Sequence, residues 1–462
     1  MRINKLHHWF LSSGLTTLIF LLAQGTARAE TRAEKDRPNV ILILADDMGM
    51  GDLSFLNGGK TRTPHLDQLV EESVWFSQAY SASAVSAPAR AALLTGKHPH
   101  QTGCISLNMK RYPEFTRMDK DLTTVADVFA ENGYATGLVG KWHVGMGEGY
   151  HPNDRGFQEF EGFRGYMVPS YFDYDLDING EIIQEDEHYL TNDLTQRALD
   201  FVSRHQDEPF FLHLAHYAPH RPIEAPQETV DHYLEKGLNK KTATIYAMIE
   251  IMDRGIGQLM DHLDRLGIRE NTLVIFSSDN GPDPMTGERY NRGLRGTKYT
   301  VYEGGIHVPL LVNWKNHFKA AHSKEVIHFT DLFPTLVDVC HLQLAETIDF
   351  EGGSMAGLLR GEDTANLPER RYWQWNRGVP YYSHNAAIRM GKWKLVRPFV
   401  TRVEPDGESE EKPVLYNLEK DPAEEHDVSE EHWRVYQNMK TWLEAWCRKM
   451  EFRRLEASDQ DL

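Results

Sequence analysis

The stretch Asn39–Ala45 reads NVILILA, and the polar run DDMGMGD follows at once at residues 46–52. Seven consecutive, mostly branched apolar residues predict a strand that is buried on both faces, as in a parallel sheet. Similar short runs recur, with helical patterns between them. The runs lie at 135–140, 210–215, 272–278 and 308–312, and the helical patterns lie around 122–131 and 243–266. We therefore expect an α/β fold with a large mixed, mostly parallel sheet sandwiched by helices.

The pattern changes near Pro368, where short strand-like runs joined by tight turns begin. A long amphipathic helix is predicted at about 430–451. These features predict a smaller C-terminal α+β subdomain, an antiparallel sheet plus a long helix, at residues 371–462. The large α/β domain is then expected to span residues 30–370.

The first 29 residues have the pattern of a secretion signal. Arg2 and Lys5 give a basic start, residues 10–23 are mostly apolar, and Ala27-Arg28-Ala29 fits an A-x-A cleavage site. Removing this leader takes the formal net charge from −18 to −21. So acidic a chain is a poor binder of nucleic acid or of anionic membranes. We expect a periplasmic or secreted protein with no membrane partner and no nucleic-acid partner.

Polar residues follow several of the apolar runs. In an open α/β sheet, ligands bind beyond the carboxyl ends of the strands, so these residues are candidates for a functional site. Helix capping or solvation explains any one of them taken alone, but it does not explain four such strand ends together. The residues are Asp46 and Asp47, Lys141 and His143, His220, and Asp279 and Asn280.

The chemistry of these candidates favours one hard cation beside an oxyanion. Asp46, Asp47, Asp279 and Asn280 offer oxygen ligands, which suit Ca²⁺ or Mg²⁺ better than zinc. A helix predicted to begin near Pro88 adds its N-terminal N–H groups and the positive end of its dipole. Further positive charge comes from Arg90, Lys141 and Lys298.

Residues 86–96 read SAPARAALLTG and place Ser86 in a Ser-x-Pro-x-Arg motif with no base beside the serine. This stretch resembles the signature of the formylglycine-dependent sulfatases, C/S-x-P-x-R followed by x-x-L-x-T-G. The similarity spans nearly all of the chain after the leader. Seven further motifs keep the order of the family: ADDMGMGD at 45–52, TPHLDQL at 63–69, GKWHVG at 140–145, APHRP at 218–222, SSDNG at 277–281, LRGTKYTVYEGGIHVP at 294–309 and LYNLEKDPAEEHDV at 415–428.

The resemblance implies a member of the alkaline-phosphatase superfamily that is most like secreted bacterial polysaccharide and aryl sulfatases. In such proteins a maturing enzyme oxidises the cysteine or serine of the signature to formylglycine before export. One hydroxyl of the hydrated aldehyde attacks sulfur, and deprotonation of the other expels sulfate. At Ser86 this requires the serine-type maturing enzyme, since the chain has serine where many relatives have cysteine.

The resemblance also implies a role for each matching residue. One calcium ion would be held by Asp46, Asp47, Asp279, Asn280 and the formylglycine at Ser86. Arg90 would steady the formylglycine, Lys141 and Lys298 would bind sulfate oxygens, His143 would act as base, and His220 would protonate the leaving oxygen. Two departures, Ala89 and His307, are expected to matter little.

The expected substrate is a sulfated carbohydrate, because export brings the protein into contact with polysaccharides. Two other interpretations stay open. A phosphatase or phosphodiesterase of the same superfamily would use unmodified Ser86 and two zinc ions, but it typically has histidine where this chain has Asn280. A catalytically silent, sulfatase-like binding protein would keep Ser86 as serine.

Overall fold

Two β-sheets organise the chain in the computed structural model, which describes residues 37–286, 289–362, 365–399 and 409–460. The predicted leader at 1–29 lies outside these described residues. The strands are β1 (Asn39–Ala45), β2 (Val74–Tyr80), β3 (Ala135–Lys141), β4 (Glu159–Phe163), β5 (Tyr174–Ile178), β6 (Glu181–Glu185), β7 (Phe210–Ala215), β8 (Thr272–Ser278), β9 (Leu310–Trp314), β10 (Ala321–His328), β11 (Arg370–Gln374), β12 (Ala386–Met390), β13 (Trp393–Arg397) and β14 (Val414–Asn417).

Helices lie between the strands in the order that the sequence pattern predicts. The longest of those within the α/β part, Lys240–Arg265, matches the helical pattern predicted around 243–266. Residues 242–253 of this helix are all buried, and exposed residues alternate with buried ones only beyond them. The helices are α1 (Ser54–Asn57), α2 (Pro64–Glu72), α3 (Ser86–Thr95), α4 (Val125–Glu131), α5 (Leu190–Arg204), α6 (Gln227–Glu235), α7 (Lys240–Arg265), α8 (Glu303–Ile306), α9 (Leu332–Val339), α10 (Ala356–Leu359) and α11 (Trp433–Gln460).

Strand β1 lies at the centre of the large sheet, and all seven of its residues are buried. The order of strands within the described residues is β10-β2-β9-β8-β1-β7-β3-β4-β5-β6. The central strands β8, β1, β7 and β3 run parallel, and so do the pairs β3 with β4 and β2 with β10. The other pairs are antiparallel. The prediction of a mixed, mostly parallel sheet is therefore confirmed.

Helices cover both faces of this sheet, as predicted. Alternate residues of a strand point to opposite faces. Val40, Leu42 and Leu44 join a core cluster with residues of α3, α4, α9 and α10. Ile41 and Ile43 join a second cluster with residues of α2, α5, α6 and α7. Full burial of each such aliphatic side chain contributes about 1.5–3 kcal/mol, so the unbroken apolar run stabilises both layers at once.

The C-terminal subdomain has the predicted α+β composition. Strands β11, β12, β13 and β14 form an antiparallel sheet in that order. One face of it packs on α11 through Leu395, Leu415, Met439 and Leu443. The helix extends to Gln460, nine residues beyond the predicted end, because residues 452–460 contain neither glycine nor proline to stop it.

A buried ion cluster joins the two sheets. Lys394 of β13 places its Nζ 2.8 Å from an oxygen of Glu303 and 2.9 Å from an oxygen of Glu424. The second oxygen of Glu424 accepts the backbone N–H of Glu303 at 2.7 Å. These contacts couple the family-like motif at 415–428 to the one at 294–309. No helix within the described residues is long and apolar enough to cross a membrane.

Candidate active site

The ends of four neighbouring parallel strands bring the polar residues together. Asp46 and Asp47 follow β1, Lys141 ends β3, His220 lies in the segment after β7, and Asp279 and Asn280 follow β8. The backbone N–H of Asp279 donates to the Ala45 carbonyl, and that of Asp46 donates to the Ala218 carbonyl, each at 3.1 Å. The sheet thus delivers these side chains to one edge, as the parallel order requires.

Ser86 is the first residue of α3 and is buried at that edge. Its hydroxyl lies 3.1 Å from Oδ1 of Asp46 and 3.3 Å from Oδ1 of Asn280. A hydroxyl has one hydrogen to donate, so the second close oxygen is left without a donor from it. Neither neighbour is a histidine, and the Asp46 carboxylate is already paired with Lys141 and Arg90.

Arg90, one turn further along α3, joins three elements of the site. Its Nε and Nη2 donate to Oδ2 of Asp279 at 3.1 and 2.8 Å, and its Nη1 donates to the carbonyl of Lys141 at 3.2 Å. Burial and the nearby charge of Asp46 raise the pKa of Asp279 to about 6, although Arg90 acts to lower it.

Asp47 has hydrogen-bond or ion-pair partners at both of its carboxylate oxygens. Lys298 Nζ lies 2.7 Å from Oδ1 and 2.8 Å from Oδ2, and Nδ2 of Asn280 donates to Oδ1 at 2.7 Å. Burial acts to raise the pKa of Asp47, but the positive charges of Lys298 and His220 outweigh it and hold that pKa below the usual range. The same pairing raises the pKa of Lys298 against the effect of burial.

Asp46 forms the second buried ion pair with a lysine. Lys141 Nζ lies 2.5 Å from its Oδ2, and Arg90 Nη2 lies 3.7 Å from the same oxygen. Burial lowers the pKa of Lys141, and the charge of Asp46 opposes that shift. The buried charges of the site are therefore three carboxylates beside Arg90, Lys141 and Lys298. Because these charges balance, an added metal cation is best accommodated together with an anion.

The two histidines occupy different positions. His220 turns Nε2 toward Asp47 at 3.7 Å, while its Nδ1 lies 2.9 Å from the Tyr217 hydroxyl and 2.7 Å from the Arg221 carbonyl. His143 has a left-handed backbone, with φ of 63°, and its Nε2 lies 3.1 Å from the Leu107 carbonyl. Its buried Nδ1 has no hydrogen-bond partner among the residues that the structure describes.

Burial is the main cause that lowers the pKa of both histidines, and the positive charge of Lys141 acts in the same direction. A bound sulfate ester would bring negative charge beside them and so favour their protonated forms. Nine of the ten predicted site residues thus lie in one network of hydrogen bonds and ion pairs. His143 is linked to it through electrostatic interactions with Lys141, Arg90 and Lys298.

A cation site fits this arrangement. Carboxylate oxygens of Asp46 and Asp47 and a ring nitrogen of His220 lie within 4.8 Å of one another, and all three residues are buried. The Ser86 hydroxyl contacts Oδ1 of Asp46 and Oδ1 of Asn280, which brings two further oxygens beside these carboxylates. The donors available are mostly oxygen, which is the chemistry that Ca²⁺ prefers.

Sequence reasoning missed some neighbours of the site. Arg289 donates to the carbonyl of Asp47 at 2.5 Å, and Ser81 Oγ donates to the carbonyl of Asp279 at 2.6 Å. Tyr217 orients His220. Its position three residues before that histidine is the one feature of the sequence that could indicate this contact. The other two lie far along the chain from their partners, and no local pattern marks them.

His307, one of the two expected departures from the family pattern, contacts the ion cluster that joins the two sheets. Its Nδ1 lies 3.3 Å from Oε2 of Glu303, its Nε2 lies 2.8 Å from the Ser77 carbonyl, and its ring stacks on Tyr80 at 4.8 Å. Of these contacts, the one to Glu303 is with the cluster.

Comparison with family models matches residues 38–342 to the model described as Sulfatase. Residues 296–449 match the model described as N-sulphoglucosamine sulphohydrolase, C-terminal. The two matches overlap around the segment that carries Lys298.

Comparison with individual proteins also finds sulfatases. The chain is 28% identical to an N-acetylgalactosamine-6-O-sulfatase of Bacteroides thetaiotaomicron, over 88% of this chain and 93% of the relative. It is 30% identical to arylsulfatase A of Homo sapiens, over 89% of this chain and 86% of the relative. A crystal structure of Ps i-CgsB in complex with k-i-k-neocarrahexaose aligns with a TM-score of 0.79 at 30% identity, over 89% of this chain and 92% of the other.

Proposed function

The chain belongs to the sulfatase family and is a sulfuric ester hydrolase, and from this premise we propose that it removes sulfate from a sulfated carbohydrate. We further propose that it uses a formylglycine formed at Ser86 and one bound calcium ion. Export to the periplasm or the exterior, after action of the serine-type maturing enzyme, is part of the same proposal.

The observation that carries the proposal is the environment of Ser86. Its hydroxyl is buried at the start of α3 between oxygens of Asp46 and Asn280. The Asp46 carboxylate is already paired with Lys141 and Arg90, so the observed contacts offer the hydroxyl no free base. A simple serine nucleophile needs such a base. Modification of residue 86 removes that requirement.

Calcium would be held by oxygens of Asp46, Asp47, Asp279, Asn280 and residue 86. When bound, it would orient the hydroxyl group at residue 86 and lower the pKa of that group. The carboxylates of Asp46 and Asp47 lie together, paired with Lys141 and Lys298.

The roles of the remaining side chains follow from their positions. Lys141 and Lys298 would turn from the carboxylates to the sulfate oxygens, whose charge they stabilise as it develops. Arg90, fixed by Asp279 and by the Lys141 carbonyl, would hold residue 86 in place. Groups fixed in this way need little reorganisation during the reaction.

Two histidines would move the protons. His220 would donate a proton from Nε2 to the leaving oxygen as the S–O bond breaks, with Tyr217 orienting the ring through Nδ1. His143 would accept, on its unpartnered Nδ1, the hydroxyl proton whose loss from residue 86 releases sulfate. Such acid–base steps each contribute roughly 10²–10⁴-fold.

A sulfated saccharide is the proposed substrate because relatives of similar length are sulfatases of amino sugars, and a matching solved structure holds a neocarrahexaose. The phosphatase alternative is less well supported, since Asn280 occupies the ligand set where a second metal would call for histidine. A silent binding protein would not require the full set of charged residues around Ser86.

The proposal is tested by mass spectrometry and activity together. The protein is produced with and without a serine-type maturing enzyme, and the peptide that contains residue 86 should become lighter by two hydrogen atoms only in its presence. Sulfate release from defined sulfated saccharides should follow the modified fraction, and Ser86→Ala should release none. Full activity from protein that contains only serine at this position would contradict the proposal.

A further inference from the structure

One side chain of the C-terminal subdomain fastens the segment that follows Lys298. Asn385 donates from Nδ2 to the carbonyl of Tyr299 at 2.8 Å and to the carbonyl of Trp375 at 2.5 Å. Its Oδ1 accepts the backbone N–H of Val301 at 3.0 Å. Asn385 is 1% exposed, and these three bonds use both of its amide hydrogens.

The backbone that Asn385 holds is under strain. Tyr299 has a φ of 82°, a conformation that bulky side chains rarely adopt. It persists only when surrounding contacts over-determine it. Its backbone contacts include those to Asn385 and a bond from the Tyr299 N–H to the carbonyl of Ala84, 2.9 Å away and two residues before Ser86.

The segment that Asn385 holds also packs near the other residues of the candidate active site. Val85, Tyr299 and Trp375 form a small hydrophobic cluster against which Leu107 packs. The carbonyl of Leu107 is the partner of His143 Nε2. Displacing Tyr299 would therefore disturb both ends of the reaction centre.

We propose that Asn385 is a positioning residue for sulfate ester hydrolysis, which fixes the backbone of residues 299–301 and through it the place of Lys298 relative to Ser86. The inference rests on the proposed function, which assigns Lys298 to the sulfate oxygens. Because Asn385 is buried and its amide is bonded to the backbone, it would act through the segment it holds and not by contact with the substrate. A displacement of about 1 Å in a reacting group costs on the order of 10²-fold in rate.

Two variants test the proposal, Asn385→Asp and Asn385→Gly. Both residue types tolerate the φ of 47° at this position. Aspartate keeps the acceptor for Val301 but loses both donors, and glycine removes the whole side chain. For folded protein, corrected for its formylglycine content, we expect kcat with nitrophenyl sulfate to fall about 10²-fold. We also expect the affinity for inorganic sulfate, measured by calorimetry, to fall at least about tenfold, since Lys298 is the displaced ligand.

Asn132 provides a matched control at the opposite edge of the sheet, just before β3 begins. Its Nδ2 donates to the carbonyls of Val128 and Gln343, and its Oδ1 accepts the N–H of Gln343, all at 2.8 Å. Asn132→Asp should lower the melting temperature but leave kcat and sulfate affinity unchanged. Folded Asn385 variants with wild-type sulfate affinity would overturn the inference. An inactive wild-type enzyme would instead count against the proposed function, and the sulfate measurement would still test Asn385.

Discussion

Lys298 contacts both carboxylate oxygens of Asp47, at 2.7 and 2.8 Å, although the two residues lie 251 positions apart. The pair is buried, and the preceding residue, Asp46, is paired through one oxygen with Lys141 at the end of β3. Under the proposed function, each lysine would exchange a carboxylate for a sulfate oxygen once a metal cation neutralised the acid. Such an exchange would link the binding of calcium to the binding of the substrate anion.

Calcium should therefore stabilise the protein. After treatment with a chelator, added Ca²⁺ at a hundredfold excess over its Kd should raise the free energy of unfolding by about 2.7 kcal/mol, because it binds only the folded state. Differential scanning calorimetry gives this shift. Asp47→Asn should abolish most of it, whereas Asp331→Asn, at a buried ion pair with Arg371, should keep it. Two zinc ions per chain in a metal analysis would support the phosphatase interpretation instead.

Arg90 should matter for stability as well as for the reaction. Replacing it by methionine leaves Asp279 buried without its bidentate partner, which costs about 3–5 kcal/mol. Urea unfolding of metal-free protein measures the loss. Adding Asp279→Asn should recover part of it, since the unpaired charge is then gone. A double variant no more stable than the single one would contradict this account.

Arg371 gives the comparison for activity. It lies 2.6 Å from Asp331 in a pair of similar burial. Arg371→Met should destabilise the protein to a similar degree while folded protein keeps its kcat. Loss of kcat in both variants would mean that instability, rather than the site, explains the effect of Arg90.

The role of His220 should be visible when a His220 variant is compared on substrates with good and poor leaving groups. An acid catalyst matters most when the departing alkoxide is a poor leaving group. His220→Ala should therefore lower kcat for a sugar sulfate by roughly 10²–10⁴-fold, with a much smaller loss for nitrophenyl sulfate. Tyr217→Phe, which removes only the hydroxyl bonded to Nδ1, should give a smaller loss of the same kind. Equal losses on both substrates would refute the assignment.

Much of this fold can be predicted from the sequence because unbroken apolar runs are buried on both sides only as strands of a sheet that helices cover on both faces. Asn39–Ala45 is such a run, and its seven residues are all buried. The residues that follow such runs must then gather at one edge, and for this reason the sequence alone predicts that Asp46 and Asp279 lie together. Their roles stay a prediction, as do the domain boundaries.

Contacts made by docking the second sheet could not be predicted in this way. Asn385 reaches Tyr299 across 86 positions, and Lys394 reaches Glu303 across 91. No period or spacing in either segment encodes these pairs, because they depend on how two separately formed sheets meet. The buried place of Glu424, in an acidic stretch whose neighbours are exposed, has the same origin.

Glu424 supports the last prediction, on stability and pH. Burial raises its pKa to about 7 from an ordinary value of 4.5, with Lys394 opposing and Glu303 adding to the shift. The folded state therefore binds more protons than the unfolded state between these two values, so this group's contribution to stability is full below pH 4.5 and is lost as the pH rises to about 7. Glu424→Gln cannot ionise, so its stability relative to wild type should be about 1–3 kcal/mol higher at pH 8 than at pH 5. Urea unfolding at the two pH values measures the difference, and Glu425→Gln, at the exposed neighbour, should show none. A relative stability of Glu424→Gln that falls between pH 5 and pH 8 would show that the ionised carboxylate is the favoured form in the fold.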